Sequence, residues 1–224
     1  MSQNAYLFLN GTYADEEPWV ESARGQGLVI GVDGGANYLL AINLQPDIVI
    51  GDMDSLSKIQ CQKLKAGGAQ IILHPVKKDE TDFELALNYA ILHDYKNIMV
   101  FGAMGGRTDH MLANILLPSK YLCGTSISLF HGNEELFFIS SNMVIKGSTG
   151  DMLSLVPIAG DVTNVTTKGL RYPLTGETLL FGKTRGISNE MLADEAGVSI
   201  TSGLLLCIHT HRMIMDNVER GLDE

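Results

Sequence analysis

The sequence predicts an α/β fold, in which an N-terminal open parallel sheet flanked by helices (Rossmann-like) is followed by a smaller antiparallel all-β sandwich domain. Two observations predict it. Up to about residue 126, short β-branched runs alternate with helical segments, which is typical of a parallel sheet with right-handed crossovers. Beyond that residue, short strand-like runs are separated by Gly, Asn, Pro and Asp, as in antiparallel sheets. We therefore expect an α/β domain at residues 1–135 and a β-sandwich domain at residues 136–224.

Four predicted strands of the first domain each end in a loop that carries aspartate. The strand runs are LVIGV, DIVI, QIIL and NIMVF, and the loops after them hold Asp33, Asp52 with Asp54, Asp79 with Asp82, and Asp109. Because the carboxyl ends of parallel strands meet at one edge of a sheet, these loops should share the edge at which open α/β folds bind ligands. The sequence therefore predicts an acidic rim at that edge.

Helical segments separate these strands. The stretch 36–43 has helical character, and the segment 55–68 has apolar residues at mainly helical spacing and closes with a Gly-Gly pair, which signals a helix end. Thr81 and Glu84 match the capping box that opens a helix, and apolar residues continue after them at intervals of three and four. We expect another helix at about 109–120.

Beyond about Ser126 the sequence contains eight short runs, ISLFHG, ELFFIS, MVIKG, MLSLVPI, VTNVTT, TLLFG, VSITSG and LLLCIHT. Turn-forming residues lie between them, which favours two packed antiparallel sheets. His209 and His211 alternate along the last run and so should point to one face. Because no third ligand is obvious in the sequence, we interpret them as surface or interface residues rather than a metal site.

Composition narrows the class of protein. The chain has 224 residues, 45% of them apolar, and a formal net charge of −10 without any run of Lys or Arg. This charge argues against a nucleic acid or a membrane surface as partner, because both need a basic footprint. The cysteines, Cys61, Cys123 and Cys207, lack any zinc-binding spacing, so we expect them to be reduced and mostly buried. With no signal peptide and no run of roughly 18 apolar residues, we expect a cytoplasmic enzyme.

The strongest chemical motif is Gly51-Asp52-Met53-Asp54-Ser55. Two carboxylates one residue apart at a strand end can both reach one hard cation, and Mg²⁺ takes one or two carboxylates while its other positions hold water and phosphate oxygens. Alternatively, both aspartates are turn residues that bond nearby backbone amides. Four acidic loops on one edge favour the metal interpretation.

The other loops also have two interpretations. Gly34 and Gly35 after Asp33 would let a ligand approach the backbone, or Asp33 would cap the following helix. In the segment 77–82, the lysines would bind phosphate. Asp82 would face the rim, complement the dipole of the following helix, or do both. We interpret Glu84 as a structural residue of the capping box.

The glycine-rich loop 102–110 contains Arg107, whose planar guanidinium group would bind a phosphate through two hydrogen bonds. Alternatively, Arg107 forms a structural ion pair with a neighbouring aspartate. His110 is more typical of a structural histidine than of a base. The sequence has no GxxxxGK[ST] and no GxGxxG, which excludes the P-loop and the dinucleotide fingerprint.

Six motifs in order give the chain a resemblance to the thiamine pyrophosphokinase family. They are DGGAN at 33–37, GDMDS at 51–55, Thr81-Asp82, GGRTDH at 105–110, GLRYPL at 169–174 and GISNE at 186–190. The resemblance implies Mg²⁺-dependent transfer of a pyrophosphoryl group from ATP to the hydroxyethyl oxygen of thiamine, giving thiamine diphosphate and AMP. It also implies a homodimer, with an α/β catalytic domain and a β-sandwich domain.

The resemblance also implies roles for individual residues. The metal would be held by Asp52, Asp54 and Asp82, and the catalytic residues would be Asp54, Asp82 and Arg107. ATP would be bound by Asp33, Gly34, Gly35, Asn37, Lys78, Thr81, Arg107, Thr108 and Asp109, and thiamine by Ser188 and Asn189. Either Asp54 or Asp82 would accept the hydroxyl proton. The only tryptophan, Trp19, lies far from the C-terminal motifs, so a ring stacked on thiamine would come from Tyr172 or Phe181.

Three other functions remain open on the sequence. A glycosyltransferase with a DxD motif would also bind a metal and a nucleotide diphosphate, and a pterin pyrophosphokinase would transfer the same group. A non-enzymatic sensor of thiamine diphosphate or a nucleotide would keep the pocket without turnover.

Overall fold

The chain divides into two compact units, Met1–Gly132 and Asn133–Glu224, of which this computed structural model describes residues 3–15 and 17–212. The boundary expected at residue 135 falls inside a strand, Glu134–Ile139. The chain turns just before that strand, where Gly132 has a φ of +56°. A glycine adopts this left-handed conformation without steric cost, so the chain can turn there.

The first unit is built on six parallel strands. They are β1 (Asn4–Phe8), β2 (Leu28–Val32), β3 (Ile48–Gly51), β4 (Gln70–Leu73), β5 (Asn97–Phe101) and β6 (Ser126–His131), in the order β6-β5-β1-β2-β3-β4. All their pairings are parallel, as the sequence predicts for the strands up to β5. The expectation that the run ISLFHG belongs to the antiparallel strands is wrong, because this run forms β6 and pairs with β5 in parallel. The strand order reverses direction between β1 and β5, and such switch points open the crevice in which α/β sheets bind ligands.

Four α-helices connect these strands: α1 (Gly35–Ala41), α2 (Lys58–Ala66), α3 (Asp82–Leu92) and α4 (Thr108–Leu116). Helix α2 begins with a complete capping box between Ser57 and Gln60, which the sequence analysis did not identify. At α3 the expected box is half formed. The Thr81 hydroxyl accepts a hydrogen bond from the Glu84 amide at 3.2 Å, but the Glu84 carboxylate accepts one from Lys120 Nζ at 3.3 Å. The side chain of Glu84 therefore fastens α3 to the chain after α4.

The second unit contains two antiparallel sheets. Its strands are β7 (Glu134–Ile139), β8 (Met143–Lys146), β9 (Met152–Pro157), β10 (Val162–Lys168), β11 (Thr175–Leu179), β12 (Asn189–Glu190), β13 (Glu195–Ser199) and β14 (Leu205–Thr210). Within this unit one sheet has the order β12-β9-β14-β7 and the other β11-β10-β13-β8. Both contribute to one buried cluster, which includes Leu153, Leu155, Val162, Val165, Ala196, Val198, Leu205 and Cys207. This packing confirms the predicted sandwich.

The three cysteines are free thiols, but only one of them is buried. Burial raises the pKa of the Cys207 thiol, whereas Cys61 is half-buried and Cys123 is exposed. The expectation that all three are mostly buried is therefore wrong for Cys123, which lies in the turn before β6. Among the residues that the structure describes, no helix combines the length and apolar character that a membrane span requires.

Helix α1 packs unusually closely on β1. A Cβ atom at Gly35 would lie 1.8 Å from the carbonyl oxygen of Phe8. Phe8 is itself fully buried and stacks on Phe101 with ring centroids 4.9 Å apart. Neither the backbone of β1 nor its core side chains can therefore move away.

We predict that Gly35→Ala lowers the free energy of unfolding by roughly 1–3 kcal/mol or more, because overpacking forces the backbone to shift. Urea denaturation followed by circular dichroism measures this value. Gly197→Ala is the matched control, since a Cβ there would meet only Lys168 Cβ at 3.7 Å. The control should stay within about 0.5 kcal/mol of the parent. Equal stability of Gly35→Ala and the parent would contradict the close packing.

Candidate active site

The carboxyl ends of β1 to β5 surround one cavity of about 530 Å³, a size typical of small-molecule sites. The loops after β2, β3, β4 and β5 contribute Asp33, Asp52, Lys78, Glu80, Thr81, Asp82, Gly105, Gly106 and Arg107. The predicted acidic rim is thus present. The loop after β1 also lines the cavity, through Asn10 and Gly11, which the sequence analysis did not single out. Their position directly after the first predicted strand was the signal that could have identified them.

Three carboxylates converge beside this cavity, which Asp33 and Asp52 line and Asp54 does not. One carboxylate oxygen each from Asp33, Asp52 and Asp54 lie within 4.8 Å of one another. Asp33 Oδ2 accepts a hydrogen bond from Ser55 Oγ at 2.7 Å, while Asp33 Oδ1 is buried without a hydrogen-bond partner among the described residues. A buried oxygen without a donor, beside two further carboxylates, fits a divalent cation.

The loop 51–55 is held in the conformation that brings these carboxylates together. Met53 has a φ of +66° and Asp33 a φ of +46°, which are uncommon for residues other than glycine. The Asn37 side chain fixes this geometry, since its Nδ2 donates to the Ser55 carbonyl at 3.1 Å and its Oδ1 accepts from Gln60 Nε2. Asn37 does not line the cavity. The structure therefore gives it a positioning role.

Electrostatics also single out Asp33. Burial raises the pKa of Asp33, the hydrogen bond from Ser55 partly offsets this effect, and the charges of Asp54 and Asp82 raise it further. The ionised cluster is thus penalised as long as no cation compensates it. The family resemblance implies Asp82 as a metal ligand and Asp33 as an ATP-binding residue, whereas the structure brings Asp33 into the carboxylate cluster.

Asp82 lies on the same cavity but has a cationic partner. Its Oδ1 is 2.7 Å from Lys78 Nζ, and both side chains are largely shielded from solvent. Asp82 is the first residue of α3, directly after the N-cap Thr81. The carboxylate therefore complements the helix dipole and orients Lys78 toward the cavity at the same time.

The glycine-rich loop after β5 carries a bidentate ion pair. Arg107 Nε donates to Asp109 Oδ1 at 3.1 Å, and its terminal NH2 donates to Asp109 Oδ2 at 2.6 Å. The Arg107 hydrogen bond holds the pKa of the Asp109 carboxyl at about 2. Both side chains are exposed, and Arg107 lines the cavity whereas Asp109 and Thr108 do not. His110 and Asn114 also line it, and Asn114 Nδ2 donates to the Ala103 carbonyl at 3.1 Å.

The glycines after Asp33 lie outside the cavity lining. A Cβ at Gly34 would lie 2.3 Å from Asn10 Oδ1, and one at Gly35 would collide with the backbone of β1. The missing side chains therefore serve the packing of the turn from β2 to α1 against β1.

The residues expected to bind thiamine lie in the second unit. Asn189 is buried, and its amide accepts a hydrogen bond from the Tyr172 amide at 2.9 Å and donates one to the Tyr172 carbonyl at 2.7 Å. Asn189 thus fixes the loop that carries Tyr172. Ser188 is exposed, with a φ of +54°. The rings of Tyr172 and Phe181 are also exposed, which leaves them available for stacking.

Comparison with known proteins agrees with this geometry. Residues 21–129 match the family description "Thiamin pyrophosphokinase, catalytic domain", and residues 139–205 match "Thiamin pyrophosphokinase, vitamin B1 binding domain". Thiamine pyrophosphokinase of Bacillus subtilis (strain 168) is 30% identical over 186 residues, which cover 82% of this chain and 87% of that protein. Thiamin pyrophosphokinase 1 of Caenorhabditis elegans is 24% identical, covering 93% of this chain and 90% of that protein.

Solved structures show the same fold. The crystal structure of thiamine pyrophosphokinase from Bacillus subtilis superposes with a TM-score of 0.84 at 28% identity, covering 94% of this chain and 100% of that one. The enzyme from Geobacillus thermodenitrificans gives a TM-score of 0.81 at 27% identity, with 94% and 99% covered. Because two domain descriptions, a relative of 30% identity and these structures agree, the chain belongs to the thiamine pyrophosphokinase family.

Proposed function

We propose that this protein transfers a pyrophosphoryl group from ATP to the hydroxyethyl oxygen of thiamine, giving thiamine diphosphate and AMP. The observation that supports it most is the convergence of the Asp33, Asp52 and Asp54 carboxylates beside a cavity that Asp33 and Asp52 line together with Lys78 and Arg107. Phosphoryl-group transfer needs charge neutralisation and in-line alignment more than covalent catalysis, and this arrangement is suited to both.

The carboxylate cluster is the proposed Mg²⁺ site. Asp33, Asp52 and Asp54 offer only hard oxygen ligands, and the unpartnered Asp33 Oδ1 gives one of them a free position. Bound Mg²⁺ would neutralise the polyphosphate charge. We assign Asp82 to orienting Lys78, because its carboxylate already accepts the hydrogen bond from that ammonium group.

Lys78 and Arg107 are the proposed phosphate-binding cations. Lys78 is a compact point charge, and Arg107 can exchange the two oxygens of Asp109 for two phosphate oxygens without changing its bidentate geometry. Gly105 and Gly106 have φ values of +76° and +68°. Because they have no side chains, the phosphates would be able to approach the backbone of this loop closely. Thr81 lines the same cavity.

In the proposed reaction the hydroxyethyl oxygen of thiamine forms a bond to the β-phosphorus of ATP. The bond between that phosphorus and the oxygen bridging to the α-phosphorus breaks, and AMP leaves with the bridging oxygen. Asp54 is the proposed acceptor of the hydroxyl proton. Its carboxylate is exposed, and its hydrogen-bond contact among the described residues is the Ser55 hydroxyl at 3.1 Å, whose single proton is shared with the closer Asp33 Oδ2. Protonation of Asp82 would instead break its ion pair with Lys78.

The second unit is proposed to bind thiamine. The match of residues 139–205 to a vitamin B1 binding domain supports this assignment. Exposed Ser188 would hydrogen-bond the substrate and exposed Tyr172 would stack on a ring, while Asn189 holds Tyr172 in place. The net charge of −10 favours the cationic thiazolium ring of thiamine and disfavours nucleic acid or an anionic membrane as partner.

We further propose a homodimer, as the family resemblance implies, located in the cytoplasm. The free thiols of Cys61, Cys123 and Cys207 support a reducing compartment. Family membership favours thiamine over a sugar or a pterin as acceptor, and no observation favours a sensor without turnover.

We expect purified protein incubated with ATP, Mg²⁺ and thiamine to form AMP and thiamine diphosphate in equal amounts, as measured by chromatography. Omitting thiamine should abolish AMP formation, which controls for hydrolysis. Formation of ADP, transfer only to a pterin or a sugar, or binding without turnover would each refute the proposed activity.

We expect Asp54→Asn to lower kcat by about 10²-fold or more, because the amide cannot accept the proton and is a poor ligand for Mg²⁺. The change nearly preserves the side-chain shape, so the melting temperature should stay close to that of the parent. Asp94→Asn is the matched control, since Asp94 is an exposed aspartate that pairs with Lys96. If Asp54→Asn turns over as fast as Asp94→Asn, Asp54 is not part of the reaction.

Asp33→Asn tests the metal site through stability rather than activity. The pKa of Asp33 is raised in the folded chain. The protonated Asp33 carboxyl therefore contributes to folding stability at pH values below its pKa in the unfolded chain. This contribution is lost as the pH rises through its pKa in the folded chain. Without divalent ions, Asp33→Asn should therefore melt at a higher temperature than the parent near about pH 7.5, with the difference shrinking toward about pH 4.

Added Mg²⁺ should reverse this order at neutral pH. At about 100 times its Kd, Mg²⁺ stabilises a binding-competent chain by about 2.7 kcal/mol, and Asp33→Asn should gain much less. Differential scanning fluorimetry with and without MgCl₂ measures both effects, and Asp94→Asn should respond like the parent. An equal response of Asp33→Asn and the parent would remove Asp33 from the metal site.

A further inference from the structure

A second group of metal-ligating side chains lies at one end of the β-sandwich. One ligand atom each from Glu135, His209 and His211 lie within 4.8 Å of one another. Glu135 and His209 are direct cross-strand partners on β7 and β14, and His211 follows two residues later. Phe137 and Cys207, the next residues on the same faces of these strands, pack in the core. The group therefore closes the end of the sandwich interior.

His209 shows the feature that points to a ligand. It is fully buried, and its Nε2 is 2.8 Å from Asp151 Oδ2, while its Nδ1 is buried without a hydrogen-bond partner among the described residues. Buried polar atoms in native proteins nearly always have a partner. A histidine that bonds a carboxylate through one ring nitrogen and keeps the other free has the arrangement of metal-ligating histidines, in which the carboxylate fixes the tautomer and the ring orientation.

Asp151 is rigidly placed for this task. Its Oδ2 accepts a hydrogen bond from the Ser148 amide at 2.9 Å, and its Oδ1 accepts one from the Arg212 amide at 2.7 Å. Gly147 covers the pair, because a Cβ there would lie 2.7 Å from Asp151 Oδ2 and 2.8 Å from His209 Cε1. The orientation of the His209 ring is thus fixed before any ion binds.

The other two side chains leave the group accessible. Glu135 and His211 are each about one quarter exposed, and His211 Nε2 lies 3.6 Å from Glu135 Oε2. The His209 and His211 rings are adjacent, with centroids 3.8 Å apart. An ion can therefore enter from the solvent side, while the His209 side remains closed.

We propose that Glu135, His209 and His211 bind a transition-metal ion, Zn²⁺, with Asp151 as the carboxylate that orients His209. Two imidazole nitrogens and one carboxylate oxygen are a zinc donor set that leaves a fourth position open. Imidazole nitrogen disfavours Mg²⁺, which prefers oxygen ligands, so this site differs in metal preference from the carboxylate cluster of the first unit. The bound ion would tie β7 to the chain after β14.

Zinc uptake by the purified full-length protein tests this proposal. Protein is freed of metal with EDTA, exchanged into buffer with excess Mg²⁺ to saturate the carboxylate cluster, and titrated with ZnCl₂. We expect one Zn²⁺ per chain after gel filtration, measured by mass spectrometry of the metal, and a rise in melting temperature. Replacing Zn²⁺ by Co²⁺ should give the visible absorption of a site with nitrogen ligands.

Variants locate the ion. Glu135→Gln and His211→Asn should each lower the Zn²⁺ affinity by at least about tenfold. These side chains are partly exposed, so the variants should fold, which circular dichroism without metal verifies. Glu134→Gln is the matched control, because Glu134 is the neighbour of Glu135 on the opposite face of β7 and contacts Thr210 at 3.4 Å. His93→Asn controls for a histidine outside the group.

Three results would overturn the proposal. The first is the absence of Zn²⁺ uptake in excess Mg²⁺, which would make the group a polar network only. The second is unchanged affinity in Glu135→Gln and His211→Asn. The third is loss of the ion in Asp54→Asn with retention in His211→Asn, which would place the zinc in the carboxylate cluster.

Discussion

The hydrogen bond from Ser55 to Asp33 is the contact on which the proposed active site depends. It joins the loop after β2 to the loop after β3, and it brings the Asp33 carboxylate next to those of Asp52 and Asp54 against their mutual repulsion. Asn37 secures the same junction from α1. The parallel sheet is what makes this junction possible, since it places successive loops at one edge.

The energetic logic of this junction resembles that of many binding sites. The partly buried carboxylates of Asp33 and Asp52, next to the exposed carboxylate of Asp54, cost free energy when all three are ionised without a compensating cation. Of the two residues in the turn from β2 to α1, Asp33 lines the cavity and Gly34 packs against Asn10. The packing of Gly34 and Gly35 against Asn10 and Phe8 holds the Asp33 backbone in a left-handed conformation, with a φ of +46°. This conformation is uncommon for residues other than glycine.

The parallel sheet, the acidic rim and the sandwich could be predicted from the sequence because they follow from periodicity and from connectivity. Which carboxylates would meet could not be predicted. Asp33 directly follows β2 and Asp82 begins α3, and only the direction of their side chains assigns Asp82 to Lys78 and Asp33 to the cluster. Local spacing carries no information on this choice.

The contacts that the sequence did not predict join residues that are far apart in the chain. Glu135 is far from His209 in sequence, and only the pairing of β7 with β14 supplies the third ligand that the sequence analysis found missing. For the same reason, the interpretation of His209 as a surface or interface residue was wrong, since its side chain is fully buried. Thiamine binding by Asn189 stays a prediction, and the contact of its amide with the Tyr172 backbone could not be predicted, because the motif records only the identity of the residue.

The exposed pair of Arg107 and Asp109 has a consequence for the empty protein. Arg107 lines the same cavity as Asp33 and Asp52, so without a nearby anion its guanidinium would be drawn toward the carboxylates and would take the place of their counter-ion. Asp109 instead pairs with the guanidinium in an exposed position. Because both partners are solvated, salt screens their attraction, and under the proposed function a polyphosphate would displace the aspartate at little cost. The proposed role of Asp109 is thus to keep Arg107 from neutralising the carboxylates before ATP binds.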